Sequence, residues 1–304
     1  MVDPLSDVIR LLRPRTVFTK GISGAGAWAV RYAAFGHPSF SAVTEGRCRL
    51  LVDGQAPIEL EAGDFVLMPA TPGFTMSSLQ AATPRLVDPQ IAPAPGDEVR
   101  HGDPEAPADV RMIGGYFLFD SPDAALLVAL LPTLVHVRGV ERLTTLVRML
   151  GEEAREGRAG QNLVMFRLIE VLLVEALRSL PGDQAAPGLL RGLADQRVAA
   201  AMRRMHGAPD RPWTVAGLAQ EAGMSRSAFF ERFSRAVGLP PMEYLVAWRM
   251  AMAKRLLRRR DIPIDAVAEQ VGYGSASTFS TAFRRHVGQS PGRYARGAAV
   301  ESAA

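Results

Sequence analysis

The 304-residue chain is poor in cysteine, in histidine and in long apolar runs, and each scarcity excludes a class of protein. A single cysteine, Cys48, excludes an internal disulfide framework and fits a reducing cytoplasm. No stretch approaches about 18 uninterrupted apolar residues, so the sequence predicts no membrane span and no membrane partner. The N-terminal segment contains acids and lacks an apolar core segment, unlike a secretory signal. We therefore expect a cytoplasmic protein.

The net charge of +4 is unevenly spread along the chain. Residues 189–304 contain 18 basic and 9 acidic residues, a net charge of +9. Residues 1–188 contain 17 basic and 22 acidic residues, a net charge of −5. Because a basic segment attracts phosphate groups, this asymmetry favours a nucleic-acid partner for the C-terminal part alone. An anionic membrane surface is the competing partner, and it is less favoured because the basic residues are nearly all arginine and lie within folded units.

A repeat in the last third of the chain is the strongest signal. Residues 215–244 and 264–294 match with an offset of 49 residues at first and of 50 from Ser225 onward. The extra residue is assigned to Gly274, in a turn. The matched pairs include Gly223/Gly272, Phe229/Phe279, Phe233/Phe283, Gly238/Gly288, Pro241/Pro291 and Tyr244/Tyr294. Two copies are too few for a solenoid and suit a pair of similar small units.

Each copy has the pattern of a helix, a tight turn and a second helix. In the first copy Thr214 caps the first helix, Gly223 ends it and Ser225 caps the second. In the second copy Gly272 and Ser275 take the equivalent places. Phenylalanines spaced by four residues give each second helix one buried face. The pattern predicts tandem helix-turn-helix units, although a small helical bundle without a DNA role has the same local pattern.

The opposite face of each second helix is the one that a DNA groove would meet. Small polar and apolar side chains there can approach base edges, and arginines can reach phosphates. The candidate DNA-binding residues are Arg226, Ser227, Phe230, Glu231 and Arg235 in the first copy, and Ala276, Ser277, Ser280, Thr281, Arg284 and Arg285 in the second. Arg232 is a further candidate for a phosphate contact. A pair of solvated helix faces is the competing interpretation, which an exposed Phe230 disfavours.

The segment between the copies, Pro241–Arg260, has apolar residues at helical spacing and predicts one long amphipathic helix. Such a helix would hold the two units rigidly apart. Recognition helices that enter successive major grooves on one face of B-DNA must lie about 34 Å apart.

The C-terminal segment 195–296 resembles the AraC/XylS transcriptional regulators. The residues that carry the resemblance are Ile264, Val267, Ala268, Gly272, Tyr273, Phe279, Phe283, Gly288, Pro291 and Tyr294. The resemblance implies a seven-helix DNA-binding domain with two helix-turn-helix units. Ala276 and Ser277 depart from the longer polar side chains that members of that family often carry, so the identity of the base pairs that are read stays open.

Short segments of alternating polarity fill the first 120 residues. After an amphipathic helix over Pro4–Leu12, strands are predicted at Ala27–Tyr32, Phe40–Glu45, Arg47–Val52, Ile58–Leu60, Phe65–Met68 and Val110–Phe119. Gly46 is expected to join the second and third of these strands. Many short strands with glycine and proline turns indicate a small barrel or sandwich. The proline-rich residues 80–109 predict a long connection with a short hairpin around Glu98–His101.

The stretch from Glu45 to Phe74 resembles the cupin-type sensor domains that precede AraC-type DNA-binding domains. Residues 63–69 stand where the cupin pattern has a glycine, five residues and a proline. Cupin enzymes usually bind a metal through a His-x-His pair, a glutamate and a later histidine. His37 is the only histidine before residue 101, and Phe74 stands about where the later histidine would be. We therefore expect no metal, no cofactor and no catalytic activity.

A barrel of this size can enclose one small ligand. The candidate ligand-binding residues are Trp28, Tyr32, His37, Phe40, Cys48, Phe65, Phe74 and Met76. Their apolar character mildly favours an aromatic or otherwise hydrophobic molecule, and ordinary barrel core is the competing interpretation. Cys48 also suggests redox sensing, but Arg47 and Arg49 point to the opposite strand face, so little lowers the pKa of the thiol.

Three helices are predicted after the barrel: Asp123–Leu131, Glu141–Glu156 and Gln161–Leu180. The last has a wider apolar face than a lone surface helix needs, so it covers the barrel, a neighbouring helix or a second subunit. The family resemblance implies dimerisation through these helices, and packing within one chain is the competing explanation. The stretch 181–188, rich in proline, glycine and alanine, predicts a linker.

The predicted fold class is α+β with two domains: an N-terminal cupin-like β-barrel followed by dimerisation-type helices, and a C-terminal all-α domain with two helix-turn-helix units. Residues 1–180 are assigned to ligand sensing and dimerisation, with the barrel near 15–120 and the helices near 121–180. Residues 181–190 are assigned to the linker, and residues 191–298 to DNA binding.

The predicted function is a transcription regulator, not an enzyme, whose barrel senses a small molecule and whose tandem units bind promoter DNA in successive major grooves. The expected partners are double-stranded DNA, a small-molecule effector, a second copy of the chain and RNA polymerase. One alternative is a regulator without an effector, controlled by a partner protein or by oxidation of Cys48. A cupin enzyme fused to a DNA-binding domain is the other alternative.

Overall fold

The structure, a computed structural model, describes residues 2–12, 14–87, 98–119, 128, 130–156, 158–180, 187–259 and 261–301. These residues divide into two compact units. The barrel unit contains the described residues between 14 and 180, except 128 and 130. The helical unit contains residues 2–12, 128 and 130 together with the described residues from 187 to 301.

The barrel unit is built on a mixed sheet. Its strands are β1 (Pro14–Ala25), β2 (Ala29–Tyr32), β3 (Ser39–Val52), β4 (Ile58–Glu61), β5 (Asp64–Met68), β6 (Phe74–Ser77), β7 (Arg85–Val87), β8 (Val99–Gly102), β9 (Val110–Phe119) and β10 (Val135–Arg138). The path through the sheet is β7–β2–β6–β3–β9–β1–β8, with β4, β5 and β10 beside it. Strand β1 is parallel to β8 and β2 is parallel to β7, while the other pairs are antiparallel. The sheet forms a cupin-like half-barrel, as predicted.

The long strand β3 lies at the centre of the sheet. Its first half pairs with β5 and β9, and its second half pairs with β4 and β6. The prediction of two strands, Phe40–Glu45 and Arg47–Val52, was wrong, because the structure has one strand through Gly46. Gly46 has φ +73°, and a Cβ on it would overlap the carbonyl oxygen of Asp109. The glycine that indicated a turn therefore allows an irregularity within a continuous strand.

Several strands lacked a sequence signal. Strand β1 spans twelve residues and was not predicted, because its segment contains two glycines and a lysine instead of a regular apolar alternation. The predicted hairpin around Glu98–His101 was also wrong, since Val99–Gly102 is one strand that pairs in parallel with β1. The remainder of the predicted long connection includes residues 88–97, which lie outside the described residues.

The helices are α1 (Pro4–Leu12), α2 (Glu141–Glu156), α3 (Gln161–Arg178), α4 (Leu189–Ala194), α5 (Gln196–Gly207), α6 (Val215–Glu221), α7 (Arg226–Val237), α8 (Pro241–Arg259), α9 (Ile264–Gln270), α10 (Ala276–Val287) and α11 (Pro291–Glu301). Helices α2 and α3 pack against each other and against β1. The wide apolar face of α3 thus covers strands and a neighbouring helix within one chain. The predicted helix Asp123–Leu131 falls almost entirely outside the described residues. No helix in the described ranges is long and apolar enough to cross a membrane.

Helix α1 packs in the helical unit although it begins the chain. Its buried apolar residues, which include Val8 and Leu12, lie on the side that meets α5 and α8. The division drawn from the sequence grouped residues 1–180, whereas the structure groups residues 2–12 with the C-terminal helices. Helix α4 begins at Leu189, so the last two residues of the predicted linker 181–190 are helical. Residues 181–186 of that linker lie outside the described part of the chain.

Candidate functional site

The two helix-turn-helix units are capped in the same way. The Ser225 hydroxyl accepts a hydrogen bond from the Ala228 backbone N–H at 3.4 Å, and the Ser275 hydroxyl accepts one from the Thr278 N–H at 3.1 Å. Gly238 (φ +80°) and Gly288 (φ +83°) end the corresponding helices in the left-handed region. Equal caps give α7 and α10 the same length of twelve residues.

The same aromatic cluster supports both units. In the first, the Phe229 and Phe233 ring centres lie 5.6 Å apart, and Phe233 meets Tyr244 edge-on at 5.7 Å. In the second, the equivalent distances are 5.5 Å and 5.6 Å. All four phenylalanines are fully buried. These contacts fix one face of α7 and one face of α10, so the opposite faces are presented on rigid supports.

The predicted DNA-facing residues lie on those opposite faces. The exposed ones are Arg226, Ser227, Phe230, Glu231, Arg235, Ser277, Thr281, Arg284 and Arg285, while Ala276 and Ser280 are half-buried. Phe230 keeps 44% of its surface exposed, which is unusual for a phenylalanine. The structure therefore brings the predicted set together as two surfaces, one on each second helix.

Four arginines on these surfaces have no acidic partner among the described residues: Arg226, Arg235, Arg284 and Arg285. Arg232 differs, because its Nε donates to the carboxylate of Asp195. Asp195 also accepts hydrogen bonds from the N–H groups of Arg197 and Val198 at the start of α5. Arg232 is thus occupied within the protein, whereas the other four guanidinium groups are available for phosphates or bases.

A buried arginine on the connecting helix α8 joins the segment that precedes the first helix-turn-helix unit to the turn of the second. Arg249 donates from Nε to the Pro209 carbonyl oxygen and from Nη2 to the Arg211 carbonyl oxygen, each at 2.8 Å. Its guanidinium also lies 5.9 Å from the ring centre of Tyr273, in the turn of the second unit. Burial lowers the pKa of Arg249. Sequence reasoning missed this residue, because an arginine in an amphipathic helix has the same local pattern whether it is exposed or buried.

His206 on α5 makes an equivalent link at the first unit. Its Nε2 lies 2.7 Å from the Tyr244 hydroxyl oxygen and its Nδ1 lies 3.3 Å from the Asp7 carboxylate of α1. The imidazole stacks on Trp248 with 3.9 Å between ring centres. Burial lowers the pKa of His206, and the nearby Asp7 carboxylate opposes this shift only in part. The neutral imidazole thus joins α1, α5 and α8.

The interior of the barrel contains a cavity of about 60 Å³. Of the predicted ligand residues, four line it: Tyr32, Phe40, Phe74 and Met76. Trp28, His37, Cys48 and Phe65 lie outside its lining. Leu50, predicted from strand alternation to share a face with Cys48 and to line the pocket, also lines the cavity. The lining residues that sequence reasoning missed are Lys20, Ile22, Phe35, Ser39, Ser41, Val66, Met68, Gly114, Gly115 and Tyr116.

The four candidates that do not line the cavity lie elsewhere in the barrel unit. Trp28 and Cys48 belong to the buried core of the barrel. Phe65 is fully buried and stacks on Phe40 with 6.5 Å between ring centres. His37 is half-buried, and its carbonyl oxygen accepts a hydrogen bond from the Thr71 N–H at 3.1 Å. These four residues therefore do not line this cavity, and their role as ligand contacts stays a prediction.

A lysine and a histidine lie in the interior of the barrel. Lys20 is the single charged residue in the cavity lining, and burial lowers the pKa of its amine. His101 is buried against Trp28, with 5.5 Å between ring centres. Burial first, and then the charges of Lys20 and Arg85, lower the pKa of His101 to about 4. The imidazole is therefore neutral at neutral pH, and Lys20 is the charged residue of the cavity lining.

Cys48 is fully buried in the barrel core. Burial first, and then the negative charge of Asp64, raise the pKa of the thiol to about 12. The reactive thiolate is therefore scarce at neutral pH. Within the described residues, no group of three or more histidine, cysteine, aspartate and glutamate side chains is placed to hold a metal ion.

Comparisons with known proteins divide the chain in a similar way. A family model described as a cupin matches residues 3–181, and one described as a helix-turn-helix domain matches residues 218–297. A putative AraC-like transcription regulator of Streptomyces lividans is 38% identical over 306 residues, covering 96% of this chain and 98% of the relative. Another, of Streptomyces antibioticus, is 37% identical over 300 residues with the same coverage.

A solved structure is similar to the C-terminal part. The DNA-binding domain of AdpA, a global transcriptional factor solved in complex with a target DNA, is 31% identical. The match covers 34% of this chain and 92% of that chain, with a TM-score of 0.32.

A cupin-like barrel joined to tandem helix-turn-helix units defines a two-domain, DNA-binding transcription regulator. The relatives that match nearly the whole chain are named as transcription regulators. The chain belongs to the AraC family of transcription regulators, as the sequence resemblance implied.

Proposed function

We propose that this regulator binds promoter DNA through both helix-turn-helix units at once, with α7 and α10 in successive major grooves. The barrel binds a small molecule, and the bound state alters the affinity for DNA. The ligand acts by favouring one arrangement of the protein, which requires that it bind the two arrangements with different affinity.

The observation that carries the DNA part is the pairing of two equivalent supports with unpaired arginines. Both second helices are fixed by the same caps and the same aromatic cluster. Arg235 and Arg285, which are equivalent at an offset of 50 residues, are both exposed and without an acidic partner in the described chain. Each unit thus offers a groove-facing surface and a cation for the phosphate backbone.

A footprint on the DNA next to the gene of this protein tests this proposal. We expect two protected half-sites per chain, spaced by about one helical turn. Arg235→Ala and Arg285→Ala form a matched pair, and each should weaken protection chiefly at its own half-site. Arg49→Ala, on the outer face of the barrel, is the control. A single protected half-site that responds to one substitution alone would contradict the tandem arrangement.

The salt dependence of binding gives a second test of the same proposal. Contacts to phosphates release counterions, so affinity should fall steeply as salt rises. Each of Arg235→Ala and Arg285→Ala should reduce the slope of log affinity against log salt by about 1. An affinity independent of salt would exclude phosphate contacts from either unit.

Ligand sensing is supported by the cavity in the barrel core. The alternative of redox control through Cys48 is disfavoured by the burial and the raised pKa of its thiol. A Cys48→Ser variant separates ligand control from redox control. Ligand control predicts that the small molecule changes DNA binding of the variant as it does that of the wild type. A response to oxidant that disappears in Cys48→Ser would favour redox control instead. Control by a partner protein would leave DNA binding unaffected by every small molecule tried.

Dimerisation through α3 is the third element of the proposal. Leu163, Val164 and Val171 on α3 expose 62%, 42% and 39% of their surfaces, so an apolar stripe remains after α3 has covered the barrel. Leu163→Glu should shift the protein to the monomer in sedimentation experiments. Leu86→Glu on β7, where the leucine is 72% exposed, is the matched control. A monomeric wild-type protein would contradict dimerisation through α3.

RNA polymerase is the further partner that we propose for a DNA-bound activator. Transcription in vitro from the footprinted promoter, with and without the regulator, tests it. Increased transcription supports a productive contact with polymerase, while decreased transcription indicates a repressor.

A further inference from the structure

Lys20 is an unusual residue in the barrel interior. It lies on β1 two residues before Ile22, and both side chains line the cavity. Within the described residues its ammonium group has no carboxylate partner. The group lies over the face of Tyr32, with 5.9 Å from Nζ to the ring centre. A half-buried cation without a counter-ion is unfavourable in an apolar interior. An anionic ligand would supply the missing charge.

A second polar group in the cavity also lacks a partner. The Ser41 hydroxyl is buried, lines the same cavity and has no hydrogen-bond partner in the described structure. Its neighbour Ser39 differs, because that hydroxyl accepts a hydrogen bond from the Thr71 hydroxyl at 2.7 Å. A buried hydroxyl without a partner is costly, so a ligand oxygen that accepts from Ser41 would be stabilising.

Glycine keeps the space between these groups open. Gly114 lies opposite Lys20 in the β1–β9 pairing and opposite Ser41 in the β3–β9 pairing. A Cβ on Gly114 would stand 3.0 Å from the Ile22 Cδ1 atom and 4.0 Å from the Ser41 Oγ atom. The absence of a side chain therefore leaves room between the amine and the hydroxyl.

The remainder of the lining is apolar. It consists mainly of Ile22, Phe35, Leu50, Val66, Met68, Phe74 and Met76. Such a wall favours a hydrocarbon or aromatic body, and a cavity of about 60 Å³ limits its size.

We propose that the barrel binds a small organic carboxylate with an apolar body, its oxygens placed between the Lys20 Nζ and Ser41 Oγ atoms. This inference rests on the proposed small-molecule sensing by the barrel and adds the chemical class of the ligand. The carboxylate accepts one charge-assisted hydrogen bond from Lys20 and one hydrogen bond from Ser41. The apolar body takes the place of water against the phenylalanine and methionine side chains.

Matched acids and amides test the charge of the ligand. Benzoate and hexanoate are titrated into the full-length protein beside benzamide and hexanamide, with calorimetry as the readout. The wild-type protein should prefer each acid over its amide by about tenfold or more, because the charge-assisted bond is lost in the amide. Equal binding of acid and amide overturns the anionic class but leaves small-molecule sensing intact. Absence of binding by all four probes overturns this proposal, while the footprint tests DNA binding separately.

Two substitutions test whether the preference for the acid over the amide arises at Lys20 and Ser41. Lys20→Met keeps the length of the side chain and should abolish the discrimination between acid and amide. Ser41→Ala should weaken acid binding by a few-fold, in line with the loss of one hydrogen bond. Arg49→Met removes a cation from the outer face of the barrel and should bind like the wild type. Unchanged acid preference in a folded Lys20→Met protein would exclude the proposed site.

A spectroscopic readout observes ligand binding in the wild-type protein and needs the Lys20→Met variant only to assign the signal. The chain contains two lysines, Lys20 and Lys254. Reductive ¹³C-dimethylation retains the charge and gives few signals, and loss of a signal in Lys20→Met identifies Lys20. Benzoate should raise the pKa of the Lys20 amine and shift its signal, and benzamide should not. A Lys20 signal that is insensitive to benzoate at saturation would contradict the contact.

Discussion

The two helix-turn-helix units have the same interior and different exteriors. Phe233 meets Tyr244 in the first as Phe283 meets Tyr294 in the second, at nearly equal distances. The positions proposed to face DNA differ, since Phe230 of the first unit corresponds to Ser280 of the second at the offset of 50 residues. The repeat therefore preserves the support of each second helix, while the exposed face that we propose to meet DNA varies.

The turns of the two units also differ in their surroundings. Gly223 and Gly272 both have positive φ, at +62° and +77°. A Cβ on Gly223 would meet no atom within 4 Å, whereas one on Gly272 would stand 2.8 Å from the carbonyl oxygens of Pro209 and Asp210 and would overlap Arg249. The first turn is therefore free on one side, while the second is held against another part of the helical unit.

The largest expected effect comes from replacing these turn glycines. Gly223→Ala should cost about 1–2 kcal/mol through left-handed backbone strain alone. Gly272→Ala should cost about 3 kcal/mol or more, because backbone oxygens must also move. Urea unfolding measures both, with Gly274→Ala, which meets open space at ordinary φ, as the control. Equal costs at the two glycines would show that the second turn is not held by its neighbours.

Arg249 is expected to give the next largest effect. Arg249→Met removes hydrogen bonds to the carbonyls of Pro209 and Arg211 and should cost about 2–3 kcal/mol of stability. Arg249→Lys keeps the charge but loses the planar fork, so it should restore only part of this stability. Footprints should then show weaker protection at one half-site than at the other. Full rescue by lysine would indicate that charge, rather than geometry, is what matters.

The exposed surfaces of the two helix-turn-helix units should contribute differently to the preference for the cognate DNA sequence. Phe230→Ala should reduce binding to the cognate site by about 1–2 kcal/mol, because an apolar contact with bases is lost, and should leave the salt slope unchanged. Ser280→Ala, at the equivalent position, should change cognate binding by less. Titrations with cognate and scrambled DNA separate these effects from non-specific affinity. A uniform loss on both DNAs would mean that Phe230 does not contact bases.

The smallest expected effect is a pH dependence confined to the first unit. Burial lowers the native pKa of His206, so the unfolded chain, with a pKa of about 6.5, takes up the proton first as pH falls. The contribution of His206 to stability is therefore fully present above about pH 6.5 and should decrease as the pH falls toward 5.

Unfolding of the wild type and His206→Gln at pH 7 and pH 5 measures this dependence. Other acid-sensitive groups, including Asp7 beside the imidazole, remain in both proteins. The wild type should lose more stability than the variant between the two pH values. An equal loss in both proteins would assign the dependence to other groups.

Much of the helical unit was predictable because its determinants are local in sequence. Caps, turn glycines and phenylalanines spaced by four residues determine a helix-turn-helix unit over about 25 residues, and here they occurred twice. Helix Glu141–Glu156 was predicted with the observed bounds for the same reason. The barrel was predicted as a class, although β1 was missed and β3 was divided.

The candidate sites were predictable to different degrees. The exposed residues that we propose to face DNA follow from helical periodicity once the buried phenylalanines are known. The cavity lining does not follow, since it combines side chains from β1, β3, β5, β6 and β9 whose register depends on sheet pairing. Lys20 lies in an unpredicted strand, and Ser41 looks like any other strand serine in the sequence.

The order of residues was sufficient to predict the tandem helix-turn-helix units, the cupin-like class of the first domain and the basic character of the DNA-binding part. These properties depend on residue type and short-range spacing, which a linear sequence contains. Tertiary structure alone decided that α1 joins the helical unit, that Arg249 and His206 are buried links, and that Lys20 and Ser41 share one cavity. Such features depend on contacts between residues distant in the chain, and burial and charge at those contacts are set by the packing around them.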